Sequence, residues 1–396
     1  MSISVDPARA RREAPTSDSV SHGRRDLPSL TGLRWVAAFL VFVFHVSGWG
    51  VAGSPWWHFG QFGFIGVSFF FVLSGVVLTW SGRPGQTRRD FYWRRFARIY
   101  PSHAVTALVA IVLYLFVMPP HKELWAGLVA LALLHAWVPF PGVYSAANGV
   151  SWSLSCEAFF YALFPGISRV LSGMSRRRRT AAVAGVLALC STGAIVASFA
   201  ASGRYDTAGY MSPPIRIGEF VLGIALGLSL REGWVPRVRP GVAWAATGVA
   251  VLAALGAGAL RGWPVPRGLA DVLTVGPLAL VLVAYAGRDL TGRTSIMARP
   301  WAVYLGKLSF AFYLVHQLLM DLVMKTLLPL HDRASGAIAW RSGIALVLSL
   351  LGAMAVHHGV ELRCQRLLTR RRGSAKVLPV PYPDETRARE LARAAS

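Results

Sequence analysis

Residues 33–51 read LRWVAAFLVFVFHVSGWGV, an apolar run long enough to cross a bilayer as one helix. Arg34 and His45 are its only charged or titratable side chains. Because ionisable groups at membrane depth are costly and rare, each is a candidate functional residue. Eleven helical residues make about three turns, so both side chains face the same way, roughly 16 Å apart along the axis. The run predicts a charged-ligand site near one membrane surface and proton chemistry deeper in. The alternative is a snorkelling arginine and a histidine satisfied by a neighbouring helix.

The composition indicates a polytopic helical membrane protein. Hydrophobic residues make up 54% of the 396-residue chain and charged residues only 15%, against roughly 25% charged in soluble domains. The apolar piece at 124–137 is short for a crossing, and we predict that it is re-entrant or interfacial. The remaining runs predict an all-α bundle of about ten transmembrane helices, at about 33–51, 62–80, 101–118, 156–172, 181–201, 215–231, 241–260, 270–287, 301–325 and 342–361.

The basic residues follow the expected topology of a multi-pass protein of the cell membrane. The net charge is +23, but 30 of the 41 Lys and Arg residues lie in the two tails and in alternate loops. This positive-inside distribution argues against a nucleic-acid partner and predicts that both termini are cytoplasmic. We interpret the RRRR run at 176–179 as a topology signal and a contact with anionic lipid. We expect a disordered tail over 1–28, a transmembrane domain over 29–365 and a basic disordered tail over 366–396.

Several catalytic classes lack their motifs. The chain has no G-x-S-x-G, no H-E-x-x-H and no Walker A sequence, which argues against a serine hydrolase, a zinc protease and an ATP-driven pump. The three scattered cysteines support neither a disulfide framework nor a zinc site. We therefore expect no metal and no permanently bound cofactor.

Two motifs surround the second span. Gly60, Gly63 and Gly66 recur every three residues, which favours close helix packing; the alternative is a smooth wall against an acyl chain or cofactor arm. The following loop reads RRFARIYP at 94–101, with arginines next to aromatic residues. Arginine binds phosphate through a bidentate fork and aromatic rings stack on a nucleobase, so this loop suits a nucleotide-bearing donor such as coenzyme A. Positive-inside anchoring is the alternative.

Polar residues recur in the later spans. Ser153 and Glu157 are four apart, so they share a helix face, where a carboxylate could orient a histidine or bind a hydroxyl substrate. Helix capping with dipole stabilisation is the alternative. An intrahelical ion pair explains Arg216 and Glu219 adequately.

Two further candidates lie near the end of the chain. His316 is a candidate pore-facing histidine. Its H-x4-D string with Asp321 is treated as chance, because the two positions are about 140° apart on a helix. Glu361 ends the last span and could pair with a nearby arginine.

Together these motifs resemble the membrane acyltransferase-3 family of bacterial O-acyltransferases over nearly all of residues 28–365. Their order and spacing make the match specific. The chain resembles the stand-alone type without an SGNH domain, which includes exopolysaccharide and macrolide acyltransferases. The matching pieces are LTGLR at 30–34 with His45 eleven residues on, FFFVLSG at 69–75, RRFARIYP at 94–101, WSLSCE at 152–157 and SFAFYLVH at 309–316.

The resemblance implies transfer of an acyl group from cytoplasmic acyl-CoA to a hydroxyl of a carbohydrate or of a glycosylated natural product such as a macrolide. It implies that His45 is the catalytic histidine and Arg34 its paired arginine. Glu157 matches the second catalytic residue, the acid of WSLS-x-E. The motif residues matched to donor binding are Arg95 and Arg98, and Glu361 matches a terminal acid that the family usually follows with proline, although Leu362 follows it here.

The implied chemistry is general-base catalysis. A neutral imidazole can take the proton from a hydroxyl as that oxygen attacks a thioester, which typically gives about 10²–10⁴ in rate. The expected partners are acyl-CoA, a hydroxyl-bearing acceptor and the lipid bilayer. The competing hypothesis is a transporter or proton-coupled permease in which His45, Glu157 and His316 relay protons. The lack of visible inverted repeats argues mildly against it.

Overall fold

The chain folds into an all-α bundle of long apolar helices. The computed structural model describes residues 26–50, 55–83, 85–118, 123–138, 140–199, 209–261, 266–327 and 335–370. Ten helices within these ranges are long and apolar enough to span a bilayer, which confirms the predicted fold class. They are α1 (Pro28–Ser47), α2 (Ile65–Trp80), α3 (Arg88–Phe116), α4 (Trp152–Ser172), α5 (Arg176–Phe199), α6 (Pro213–Arg231), α7 (Pro240–Arg261), α8 (Arg267–Leu290), α9 (Pro300–Leu322) and α10 (Ser335–Val356). A 3-10 turn, Gln61–Phe64, leads directly into α2, and the second span comprises both.

The ends of α1 differ from the predicted first span. The helix starts at Pro28, five residues before the apolar run, because proline has the right φ for a first turn and its missing N–H needs no partner there. It ends at Ser47, so residues 48–50 lie outside it. Arg34 and His45 therefore belong to one uninterrupted helix, as predicted.

The RRFARIYP segment is helical, so its prediction as a loop was wrong. α3 begins at Arg88, where the Thr87 hydroxyl accepts a hydrogen bond from the Asp90 backbone N–H and so caps the helix. Its 29 residues give a length of about 43 Å, more than the roughly 30 Å hydrocarbon core. The arginine-bearing first turns therefore extend beyond the apolar layer.

Two segments near the ends of spans complete the fold. Residues 124–137 form a short helix, Leu124–Leu131, and a single turn, His135–Trp137, neither long enough to cross a bilayer. α10 continues through a π-helical turn, His357–Glu361, into the helix Leu362–Arg370. That helix runs five residues into the segment predicted as a disordered tail, so the predicted boundary was too early. The rest of the two predicted tails, 1–25 and 371–396, lies outside the described residues.

Glycines set the spacing between α1 and its neighbours. A Cβ at Gly63 or Gly66 would collide with backbone carbonyl oxygens of α1. Gly306 of α9 is equally close to the Thr31 carbonyl on the opposite side of α1. The close-packing interpretation is therefore correct, and these glycines do not form a wall for an acyl chain.

The loops after α2, α4, α6 and α8 lie together with the start of α1, at what we term the basic end. Hydrogen bonds join these parts: the Arg231 guanidinium donates to the Thr79 carbonyl (2.9 Å), and the Ser29 hydroxyl donates to Asp289 (2.6 Å). Arg179 is buried and forms a bidentate ion pair with Glu232, with distances of 2.5 and 2.6 Å. The lipid-contact interpretation was therefore wrong for this last arginine of the 176–179 run.

Candidate active site

A cavity of about 630 Å³ lies between α1, α2, α3, α4, α9 and the continuation of α10. It extends to Ser81 and Gln365 at the basic end. Its volume is typical of small-molecule sites, which range from roughly 300 to 1,000 Å³. We term it the arginine cavity. It brings together six residues singled out in the sequence: Arg34, Arg95, Arg98, Ser153, Glu157 and Glu361.

Three half-buried arginines line this cavity. Arg95 and Arg98 are three residues apart on α3, so they share a face, and Arg34 faces them from α1. Within the described residues, none of the three guanidinium groups forms a hydrogen bond or an ion pair. The Nε atom of Arg95 is buried without a partner. Guanidinium forks that face an internal cavity can bind the oxygen atoms of an anionic ligand in bidentate fashion.

Two carboxylates lie among these arginines. Glu157 accepts a hydrogen bond from the Tyr161 hydroxyl (3.1 Å) and from no histidine of the described part, so it does not orient a histidine here. Its alternative role, binding a hydroxyl substrate, stays a prediction. Glu361 accepts from His357 Nδ1 (2.8 Å), one turn earlier on the same helix, and not from an arginine. The charges of both carboxylates act on Arg34 and partly offset the positive field of the cavity.

Aromatic rings close the inner end of the arginine cavity. The Tyr313 hydroxyl donates to the Val150 carbonyl (3.0 Å) and lies 2.9 Å from Ser153 Oγ. The Phe70 ring packs against the Tyr313 ring with centroids 6.1 Å apart. Ser153 and Glu157 thus share a face of α4, as predicted, and Ser153 holds the tyrosine that ends the cavity.

A histidine pair lies directly beyond this closed end. The Tyr313 ring contacts the His316 ring, with centroids 5.8 Å apart. His316 Nε2 in turn lies 3.1 Å from His45 Nδ1, which is also 2.9 Å from the Val41 carbonyl of α1. His45 and His316 are therefore not cavity-lining residues. They form a second layer, in which His316 is fully buried and His45 is partly exposed.

The hydrogen-bond partners fix the proton positions of the neutral pair. His316 Nδ1 lies 2.8 Å from the Tyr313 carbonyl, and a carbonyl oxygen can only accept, so this nitrogen holds the proton. His316 Nε2 is then an acceptor. His45 Nδ1 lies between that acceptor and the Val41 carbonyl, so it also holds a proton. This leaves a lone pair on His45 Nε2, the atom that a general base needs.

A buried ion network lies deeper in the bundle. Arg216 pairs with Glu219 (3.0 Å), as predicted, and also with Asp271 of α8. The Ser68 hydroxyl of α2 donates to the same Asp271 carboxylate (2.6 Å). The network joins α2, α6 and α8. Asp271 was missed, although a lone carboxylate in an apolar span was the signal that could have found it.

Other functional candidates were also missed from the sequence. Asp321 pairs with the Tyr114 hydroxyl and with Lys325, not with His316. The H-x4-D string is therefore not a functional motif in this chain. Tyr313 lay within the quoted SFAFYLVH motif, and the i,i+4 spacing to Glu361 could have indicated His357. The unpredicted residues that line the arginine cavity include Tyr161, Lys307, Tyr313 and His357.

Comparison with known proteins identifies the family of the chain. Residues 27–358 match the family model described as the acyltransferase domain, Acyl_transf_3. The chain belongs to this acyltransferase-3 family of multi-pass membrane proteins. It is an enzyme that transfers acyl groups, and this replaces the permease hypothesis.

Three relatives illustrate the range of the family. The chain is 37% identical over 395 residues to acyltransferase MdmB of Streptomyces mycarofaciens, covering 93% of this chain and 98% of the relative. It is 25% identical to nodulation protein 10 of Rhizobium leguminosarum bv. viciae, covering 77% of this chain and 85% of that one. Peptidoglycan O-acetyltransferase OatA of Listeria monocytogenes is 28% identical over 36% of this chain and 24% of its own length. No solved structure matches the chain significantly.

Proposed function

We propose that this enzyme moves an acyl group from cytoplasmic acyl-CoA to a hydroxyl of a carbohydrate or of a glycosylated natural product such as a macrolide. One juxtaposition supports this most directly. A cavity lined by three arginines that pair with no described residue ends at Tyr313, and the pair His45–His316 begins on the other side of that ring. A donor site and a base site are thereby adjacent.

The positive charge supports an anionic donor that enters at the basic end. Arg34, Arg95 and Arg98 offer guanidinium forks that match phosphate oxygens. The positive-inside rule assigns the basic end, and with it both termini, to the cytoplasm, which is where acyl-CoA is made. Glu157 and Glu361 would orient these arginines through their charges.

The base acts at one nitrogen. His45 Nε2 takes the proton of the acceptor hydroxyl while the hydroxyl oxygen attacks the thioester carbonyl carbon. The carbon–sulfur bond then breaks, and the leaving sulfur takes the proton back from His45. The products are an ester and free coenzyme A. His316 holds the imidazole in the required tautomer by accepting from His45 Nδ1.

The acceptor class is supported by the relatives. One is named a peptidoglycan O-acetyltransferase, so a carbohydrate hydroxyl is an acceptor within the family. The stand-alone type that this chain resembles extends the acceptor range to sugar-bearing natural products.

The test is acyl transfer by the purified full chain in lipid nanodiscs. Labelled acetyl-, propionyl- and butyryl-CoA are supplied with a panel of sugar and macrolide acceptors. We expect an O-acyl product from the wild type and a loss of about 10²–10⁴ in kcat for His45→Gln. His358→Gln is the matched control, because His358 is an exposed histidine of the same membrane domain that lines neither the cavity nor the pair.

Two results would contradict this proposal separately. If His45→Gln had the same kcat as the wild type, His45 would not be the general base. Absence of product from every acyl-CoA, with normal folding, would remove the donor assignment.

A further inference from the structure

A second cavity, of about 370 Å³, adjoins the arginine cavity at the basic end. It lies between the loop that joins α2 to α3, the first turns of α3 and the last turns of α4. We term it the loop cavity. The two cavities share Leu78, Ser81 and Arg95 in their linings, so a ligand in one can continue into the other.

The loop cavity is strongly positive. Among the described residues, no carboxylate lines it, and none of the lining guanidinium groups has a hydrogen bond or an ion pair. Water screens the repulsion between the exposed arginines, but a cleft lined by charges of one sign still attracts an anion. The charged lining consists of Arg83, Arg88, Arg94, Arg95 and Arg169.

One wall of the loop cavity is aromatic. Phe91 of α3 and Phe164 of α4 stack with centroids 5.1 Å apart and an angle of 18° between the rings. The Arg95 guanidinium lies 5.9 Å from the Phe91 centroid. Amide and hydroxyl groups, including those of Gln86 and Ser168, line the remainder. Aromatic and guanidinium planes stack on nucleobases, and the polar groups can bind a ribose or a base edge.

We propose that the loop cavity binds the 3′-phosphorylated adenosine diphosphate part of acyl-CoA. The pantetheine arm then passes Arg95 and places the thioester at the inner end of the arginine cavity. This inference rests on the proposed acyl-CoA donor. A phospholipid head group shares the phosphate chemistry but has no base to stack, so the aromatic wall favours the nucleotide.

The separation of the two cavities makes the inference testable with a truncated donor. Arg94 and Arg169 line only the loop cavity. In the double variant Arg94→Gln/Arg169→Gln, we expect KM for acetyl-CoA to rise about tenfold or more, because each charge-assisted bond lost weakens binding. S-acetyl-pantetheine lacks the nucleotide, so its KM should not change. Arg177→Gln is the control, as Arg177 is an exposed arginine outside both cavities.

Direct binding provides the second measurement. Adenosine 3′,5′-bisphosphate should bind the wild type in nanodiscs and bind the double variant about tenfold or more weakly. Replacing neutral lipid by phosphatidylglycerol should leave the wild-type affinity unchanged at high salt. Competition by that lipid would assign the cavity to a head group and overturn the inference.

The outcomes separate this inference from the proposed function. Turnover of acetyl-CoA with an unchanged KM in the double variant would overturn the loop cavity assignment alone. No turnover of acetyl-CoA and no binding of the bisphosphate by the wild type would overturn both.

Discussion

The imidazole of His316 accepts a hydrogen bond from His45, with 3.1 Å between Nε2 of the first and Nδ1 of the second. The two residues are 271 positions apart in the chain and meet where α9 packs on α1. In the proposed mechanism, this contact gives His316 a positioning role, because it favours the tautomer of His45 that leaves Nε2 unprotonated.

Substitution of His316 should separate hydrogen bonding from shape. His316→Phe keeps a ring but removes the acceptor, so we expect kcat to fall about 10- to 100-fold, as for loss of a bond to a charged group. KM for acyl-CoA should stay unchanged, since His316 does not line the arginine cavity. His316→Gln, whose amide oxygen can accept, should recover part of the loss. Equal losses in the two variants would show that only packing matters.

The arginine cavity should control donor affinity. Arg98 lines this cavity and not the loop cavity. We expect Arg98→Gln to raise KM for acetyl-CoA and for S-acetyl-pantetheine alike, by about tenfold. The measurement is steady-state kinetics with both donors, with Arg177→Gln in parallel. An unchanged KM would return Arg98 to a topology role.

Helix spacing should control the histidine pair. A Cβ at Gly306 would collide with the Thr31 carbonyl, so Gly306→Ala must push α9 away from α1. We expect a loss of stability of about 1–3 kcal/mol and a marked fall in kcat as His316 withdraws from His45. Gly248→Ala in α7 is the matched control, because a Cβ there meets open space. Thermal unfolding and turnover of the two variants are compared, and equal behaviour would contradict the prediction.

The buried ion network should determine stability and not turnover. Arg216→Met leaves Glu219 and Asp271 facing each other without a cation, which should cost about 3–5 kcal/mol. Arg293→Met removes an exposed arginine and should change the unfolding temperature little. The check is thermal unfolding in nanodiscs, followed by kcat of the protein that remains folded. A stable Arg216→Met variant would mean that the carboxylates are already neutral.

The inner end of the cavity should select acyl chain length. Phe70 lines that end and packs against Tyr313. Phe70→Ala removes its ring, and each further methylene that is then buried contributes about 0.8 kcal/mol. We therefore expect the ratio of kcat/KM for butyryl-CoA over acetyl-CoA to rise roughly tenfold for two methylenes. A ratio that stays constant would place the acyl group elsewhere.

Much of the fold could be predicted because lipid imposes simple rules. Span length, apolar runs and the distribution of arginines gave ten helices and the non-spanning segment 124–137. Helix ends were harder to predict. The start of α3 depends on the Thr87 cap, and its first turns are polar, so hydropathy alone ended the span at Pro101.

The candidate site was predictable one residue at a time, but its connections were not. Spacing placed Arg34 and His45 on one helix, and composition marked the arginines of 94–98. The hydrogen-bond partners of Glu157, Glu361 and His45 depend on how the helices pack. The sequence of one apolar span does not show which residues of other helices it will contact. His316 could be singled out as a buried titratable group, but only the structure brings it to His45.

In the histidine pair, each Nδ1 atom donates to a backbone carbonyl. His45 Nδ1 donates to Val41, and His316 Nδ1 donates to Tyr313. A carbonyl cannot pass a proton on, so no charge leaves the pair by that route. In the proposed mechanism, the proton taken at His45 Nε2 returns from Nε2 to the leaving sulfur, so the transfer moves no net proton across the bilayer. The transmembrane voltage and the proton gradient then contribute nothing to it, and the thioester bond of the proposed donor provides the driving force.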